Sequence, residues 1–221
     1  MPEQYFQIFE CLNPECRLRF PTNLSVARME TCPFCKSPLV ASGEPFTNIK
    51  AASLPQFKSA RRVDLLLDNL RSTLNVGSIF RTADGAGVSH IYCCGTTPTP
   101  DHPKIIKTGL GAEGFVPWTY HHNALDVVKQ LEEDTLLYSL EAAEQSINLF
   151  TEIQQIESDK PVLLILGNEI SGVDPVLLQQ SNLTLSLPML GSKNSLNVAV
   201  AAGIAIYALR FYTSKIFLSN E

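Results

Sequence analysis

Long apolar runs are missing from this sequence. The most hydrophobic stretch, Val198 to Leu209, has 12 residues, well short of the ~20 that span a bilayer. The start, MPEQYFQIFECLNPEC, lacks the basic flank and apolar core of a secretory signal. A cytoplasmic protein is therefore expected. No G-x(4)-G-K-[ST] occurs, which removes the phosphate-loop nucleotidases. Charged residues make up only 18% and the net charge is −5, which argues against an indiscriminate polyanion binder. There is no internal repeat and no low-complexity tract. What remains is a chain of 221 residues, enough for one sizeable domain and a small appendage.

The charge is unevenly divided. Residues 1–62 carry eight Lys/Arg against five Asp/Glu, and the remainder nine against seventeen. Two modules with different partners are the natural reading. Four of the six cysteines fall in the first 35 residues, as CLNPEC and CPFC. Their spacing, C-x(4)-C-x(15)-C-x(2)-C through Cys11, Cys16, Cys32 and Cys35, lets two close pairs converge on one tetrahedral ion. A disulfide framework is the competing account, disfavoured in a reducing cytosol. Four thiolates leave no open coordination position, so Zn2+ there would be structural. Residues 1–40 thus read as a zinc-ribbon-like module. Arg17, Arg19, Phe20, Arg28 and Lys36 decorate it, either as an RNA contact or as an ordinary solvated face. Cys93 and Cys94, in the apolar run HIYCCG, read as buried small hydrophobes. From Ser37 to Arg62 three prolines and the absence of any sustained period suggest a connector, placed at 41–62, with room for a short helix before Val63.

Beyond Arg62 strand and helix alternate. VDLLL and HIYCCG read as strands, and between them Val76, Ile79, Phe80, Ala83 and Ala86 recur at helical spacing. FVPWTY reads as extended, ALDVVKQLEED as a helix, and TLLYSL and PVLLILG as strands. DPVLLQQ starts a helix capped by Asp174, with Pro175 in its first position. LTLSLPM and a last helix from about Ser195 to Phe211 complete an α/β domain over 63–214, a parallel sheet with helices on both faces. Ligands on such sheets bind beyond the carboxyl ends of the strands.

Four glycine-bearing stretches need weighing. Gly109, Gly111 and Gly114 spell G-x-G-x-x-G, but HPKIIKT before them makes a poor strand and Pro117 follows in an extended stretch, so a dinucleotide site is rejected. In NVGSIFRTADGAG, Asn75 is placed to cap a helix and Arg81 lies six residues on. In LGNEISGVDP, Gly167 and Gly172 permit a tight turn with Asn168 and Glu169 at its tip. In LPMLGSKNSLNVAVAAG, Pro188 stops sheet pairing, and Asn194 or Ser195 caps the final helix. Ser195 and Asn197 then stand at its positive end. Ala199, Ala201, Ala202, Gly203 and Ala205 would let another backbone come close.

In this order the last three motifs closely resemble the signatures of the SpoU/TrmH family of RNA 2'-O-ribose methyltransferases, part of the SPOUT superfamily. The likeness runs from about Leu67 to Phe211, and TGLGAEGFVPW joins it. It implies a C-terminal trefoil knot whose loops hold S-adenosylmethionine, the methyl donor. Carried over by position, Gly167, Leu187, Met189 and Leu196 would cradle the donor, with Ser139 and Leu140 as a further segment. Asn75, Arg81, Glu169, Ser195 and Asn197 match the catalytic set. Arg81 is expected to bind a phosphate beside the target ribose, because a guanidinium stays protonated and makes a poor base. The resemblance also implies a homodimer, with the arginine serving the partner's site. RNA is the expected partner, tRNA first and rRNA second, with no role for DNA or membrane.

Two departures bear on substrate. The family often has Asp-Pro shortly before the first Asn, where this chain has Ser72 and Thr73. The basic terminal arms of some tRNA-modifying members are replaced by the cysteine module. Base methylation on the same fold and a catalytically silent RNA-binding factor are the alternatives.

Overall fold

The computed structural model describes residues 4–26, 29–47, 61–153 and 160–211. Its contacts divide the chain into two compact units, Met1–Phe57 and Lys58–Glu221. Arg28 and the short helix expected before Val63 lie outside the described residues.

The smaller unit is an antiparallel sheet of β1 (Tyr5–Cys11), β2 (Arg19–Asn23) and β3 (Leu39–Thr47), ordered β2-β1-β3. The connector expected from Ser37 therefore begins as a strand. LVASGEPFT lacks clean alternation because its pairing with β1 is interrupted by a bulge between Phe6 and Ile8. Gln7 bridges the bulge, donating from Nε2 to the carbonyls of Ser42 (3.3 Å) and Gly43 (3.0 Å). Among the described residues, the buried apolar positions of this unit are Cys11 and Cys32. Its centre is sulfur rather than hydrocarbon.

The larger unit is a seven-stranded parallel sheet in the order β6-β5-β4-β9-β7-β10-β8. The strands are β4 (Val63–Asp68), β5 (Ile91–Cys94), β6 (Trp118–His121), β7 (Leu136–Leu140), β8 (Ile147–Asn148), β9 (Val162–Leu166) and β10 (Leu183–Ser186). Every residue of β4 and β9 is buried, as expected of central strands covered on both faces. One face carries α1 (Thr73–Ala86), α2 (Pro103–Gly109) and α6 (Val198–Phe211) over Leu65, Leu67, Leu164 and Leu166. The other packs Val127 of α3 (Ala124–Val128) and Leu177 of α5 (Pro175–Gln180) on Leu66, Leu163 and Ile165. A short α4 (Leu149–Glu152) follows β8.

Helix ends follow local chemistry, with three corrections. Asp174 caps α5 as expected, accepting from the Val176 N–H (2.7 Å). Ser72 rather than Asn75 caps α1, its Oγ accepting from the Asn75 N–H (3.3 Å). Asn197 rather than Asn194 or Ser195 caps α6, accepting from the Ala199 N–H (2.9 Å). HPKIIKT, a poor strand by pattern, is α2, capped by His102. Close backbone approach also falls elsewhere than expected. A Cβ at Gly203 would meet Thr82 at an ordinary 3.5 Å, whereas one at Gly77 in α1 would lie 2.7 Å from Thr108 Cβ and 3.1 Å from the Ile105 carbonyl. Gly77 is what lets α2 lie on α1.

The chain leaves β4 toward one edge through β5 and β6, then fills the other side with β7 to β10. The carboxyl ends of β4, β9 and β7 thus border one crevice, the usual ligand position in open α/β sheets.

Candidate active site

That crevice is a cavity of about 640 Å³. Four chain segments wall it: the start of α1, the end of β7, the turn after β9, and the stretch from Ser186 into α6.

The turn after β9 is tied to itself and to β4. Asn168 accepts from the Ile170 and Ser171 N–H groups (2.9 and 3.2 Å) and donates from Nδ2 to the Asn69 carbonyl (2.6 Å). A Cβ at Gly167 would sit 2.3 Å from the Val173 nitrogen and 2.4 Å from the Gly172 carbonyl carbon, so only glycine lets the turn close. Glu169, at the tip, accepts from the Arg71 N–H (2.9 Å), the Ser72 N–H (3.1 Å) and Asn75 Nδ2 (2.9 Å). Asn75 in turn accepts from Asn197 Nδ2 (3.0 Å). A carboxylate, two amides and the first turn of α6 thus form one directional chain. Partial burial alone would raise the Glu169 pKa. Donation from the Arg71 N–H, Asn75 side chain and Ser72 N–H outweighs it and holds the group below the ordinary glutamate range.

Direction matters because an amide has one acceptor oxygen and two N–H donors. Asn75 and Asn197 each commit one N–H and the oxygen, which leaves one N–H apiece beside the Ser195 hydroxyl at the cavity wall. The same cavity is lined by Leu140, Gly167, Leu187, Met189 and Leu196. Among the described residues, no backbone N–H or C=O from Leu187 to Leu196 is hydrogen-bonded within the protein. Main-chain polar groups need partners. Those of this loop are left to water or to a ligand in the cavity.

Nine of the eleven residues expected at the donor and catalytic sites therefore line one cavity, and two do not. Ser139 is fully buried and shares a 2.7 Å hydrogen bond with Ser181, because alternate residues of β7 point to opposite faces and Leu140 takes the cavity side. Arg81 is exposed and absent from the cavity wall. At 100° per residue, six residues carry it about 240° around α1 from Asn75. Glu141 is a wall residue not anticipated from sequence. Its carboxylate accepts from the Val173 and Ala142 N–H groups (2.8 and 3.1 Å), latching the end of β7 to the turn after β9. Nothing local marked it, since Val173 is 32 positions away.

In the smaller unit the four expected thiols converge. Their sulfurs all lie within 4.8 Å of one another, with Cys11 to Cys35 at 3.4 Å and Cys16 to Cys32 at 3.8 Å. Disulfide sulfurs sit at about 2.05 Å, whereas a zinc ion with bonds of about 2.3 Å holds tetrahedral thiolates roughly 3.8 Å apart. The four residues fit the ion. Hydrogen bonds from the Ser37 side chain and backbone hold the Cys35 thiol down to about 6, while burial pushes the Cys11 thiol up to about 12. Arg17 and Arg19 both pair with Glu10, at 3.9 and 3.3 Å, while Phe34 is 82% exposed.

Parallel sheet, switch-point cavity and unpaired C-terminal loop together define an α/β domain with a ligand crevice at the carboxyl ends of its central strands. Residues 62–207 match the SpoU rRNA Methylase family, and the chain belongs to it. It is 37% identical over 153 residues to the 23S rRNA (guanosine(2553)-2'-O)-methyltransferase RlmP of Bacillus subtilis, covering 69% of this chain and 59% of that one. The AdoMet-bound rRNA methyltransferase from Sinorhizobium meliloti superposes with a TM-score of 0.62 at 28% identity, over 69% of this chain and 56% of that one. The TrmH/SpoU tRNA modifying enzyme of A. aeolicus, at 24% identity and a TM-score of 0.59 over 68% and 76%, shares the fold. The chain spans 56 to 59% of the length of its sequence relatives. Among the described residues, no helix is long and apolar enough to cross a membrane.

Proposed function

We propose that this chain transfers a methyl group from S-adenosylmethionine to a ribose 2'-hydroxyl of structured RNA. The observation that carries the reading is the meeting, in one cavity, of an unpaired main-chain loop with the Glu169–Asn75–Asn197 chain and Ser195. Leu140, Gly167, Leu187, Met189 and Leu196 would hold the donor, largely by apolar contact and backbone polar groups. When bound, the donor supplies a methyl already activated on a sulfonium. The protein's work is then alignment of the hydroxyl and relief of its proton.

The remaining N–H groups of Asn75 and Asn197, with the Ser195 hydroxyl, would orient the ribose. Glu169 is a positioning residue rather than a base, since its two oxygens already accept three hydrogen bonds. Arg81 lies outside the wall of its own cavity, so a phosphate-binding role requires the cavity of a second copy. The surface for that copy is an apolar strip of Leu74, Val200, Ile204 and Tyr207, exposed along α1 and α6 and lining one shallow groove. A homodimer through this strip is part of the proposal. So is the threading of a trefoil knot by the segment from Leu187 to Phe211. In support, that segment leaves β10 beside the edge strand β8 and returns against β4, β9 and β7 at the sheet centre.

The sequence alone put tRNA first. The Bacillus subtilis relative acts, by its name, on 23S rRNA, which supports large ribosomal RNA as the first choice. For the smaller unit, a structural zinc ion on Cys11, Cys16, Cys32 and Cys35 fits the sulfur spacing. Exposed Phe34 beside Lys36 supports an RNA contact there. The test is incubation of the full chain with labelled S-adenosylmethionine and, separately, unmodified 23S rRNA and bulk tRNA, followed by mapping of alkali-resistant sites. Ribose label in 23S rRNA is expected. Label confined to bases, or none, would overturn the activity, and label in tRNA alone would overturn the choice of RNA.

A further inference from the structure

Among the described residues three charged side chains line the cavity: Arg71, Glu141 and Glu169. Both carboxylates are engaged by backbone N–H groups. The guanidinium of Arg71 makes no hydrogen bond or ion pair with any described residue, and the side chain is exposed at the rim.

Its backbone, by contrast, is held at every step. Asn69 turns the chain out of β4 with φ of 56°, its carbonyl accepting from Asn168 and its Oδ1 from the Thr96 N–H (3.0 Å). Leu70 is fully buried and donates its N–H to Thr97 Oγ1 (3.0 Å). The Arg71 and Ser72 N–H groups both end on Glu169. The fixed stem holds the base of this unpartnered cation at the cavity rim, so only side-chain rotamers remain to be ordered when an anion arrives.

We propose that Arg71 binds the RNA phosphate next to the target ribose. This rests on the methyl-transfer reading above and adds to it the residue that grips the substrate backbone from the cavity's own chain. The phosphate is favoured over the donor's carboxylate by position. The Arg71 backbone is bonded to the same Glu169 that holds Asn75, on the ribose-orienting side, and a 3'-phosphate hangs from the ribose carbon adjacent to the 2'-hydroxyl. Ser72 strengthens the case. Where the family often has Asp, this chain has a neutral cap, so Glu169, which accepts from the Arg71 and Ser72 N–H groups, is not joined by a second carboxylate at position 72. The planar fork of arginine suits bidentate phosphate binding.

Arg71→Ala keeps the N–H that Glu169 accepts, and an unchanged melting curve checks that the fold is intact. Binding of the full chain to a 23S rRNA transcript is measured by filter retention across a salt series. Binding of S-adenosylhomocysteine and of 5'-methylthioadenosine, which lacks the carboxylate, is measured by calorimetry. RNA affinity is expected to fall roughly tenfold or more, and the slope of log K against log salt to shrink by about 0.7 to 0.9. Both adenosine ligands should bind within about twofold of wild type. Arg71→Lys should restore the slope but only part of the affinity. Unchanged RNA binding would overturn the proposal, as would a loss of S-adenosylhomocysteine affinity not shared by methylthioadenosine, which would put the donor's carboxylate on the guanidinium. Absence of methyl transfer by the wild-type chain would instead count against the activity, and the binding result would still decide the role of Arg71.

Discussion

Glu169 shows how much one side chain organises. Its folded pKa lies below the unfolded value of about 4.3, so between the two the unfolded chain binds more protons and stability rises with pH. Its contribution is complete above that value and is lost as pH falls through the folded pKa. Because the residue is exposed, the stake is on the order of 1 kcal/mol after solvent screening. Glu169→Gln should lower the urea midpoint at about pH 6, and the gap to wild type should narrow as pH falls below the ordinary glutamate range and through the depressed folded pKa. A gap that is constant with pH would mean the carboxylate charge is irrelevant. Single residues were legible where chemistry is local and illegible where it is relational. Gly167 could be read from its motif. The partners of Asn75, 94 and 122 positions away at Glu169 and Asn197, could not be read from any window. Ser139 and Leu140 show the finer limit, since the segment was right and strand parity decided which of the two meets the cavity.

At the level of elements, β9 was readable because an unbroken apolar run has few other uses, and β4 because its Leu65–Leu67 core is apolar between two aspartates. The seven residues of α2 were missed because a helix so short has little periodicity to show. Strand β3 was missed because a bulge and Pro45 blur its alternation. The two expected α6 caps, Asn194 and Ser195, belong to the same capping class as Asn197, and only the fold selects Asn197. The sulfur-centred sheet of β1, β2 and β3 makes the strongest prediction at this scale. With so little buried hydrocarbon, folding should depend on metal, and zinc sites of this kind contribute about 10 kcal/mol or more. Purified protein should contain about one zinc per chain. Cys32→Ser or chelation should abolish β-sheet signal from residues 4–47 while donor binding by the larger unit persists. Metal-free protein that keeps the small sheet would refute the assignment.

For the whole molecule the pivotal test is whether two copies are needed. Val200 is 53% exposed, lies on the apolar strip and is absent from the donor cavity wall. Val200→Glu should convert dimer to monomer in sedimentation velocity, since a buried unpaired charge at an interface costs several kcal/mol. Donor binding should be unaffected while methyl transfer falls at least a hundredfold, if Arg81 acts only across the interface. A monomer that remains fully active would remove Arg81 from catalysis. The cavity wall also has a temporal meaning. It draws on residues 71–75, 140–142, 166–172 and 186–201, so a nascent chain on the ribosome can display its complete central strands long before it owns a binding site. The proposed methyl-transfer site would therefore be completed late in synthesis, and a product ending before residue 186 would lack one whole wall of the cavity.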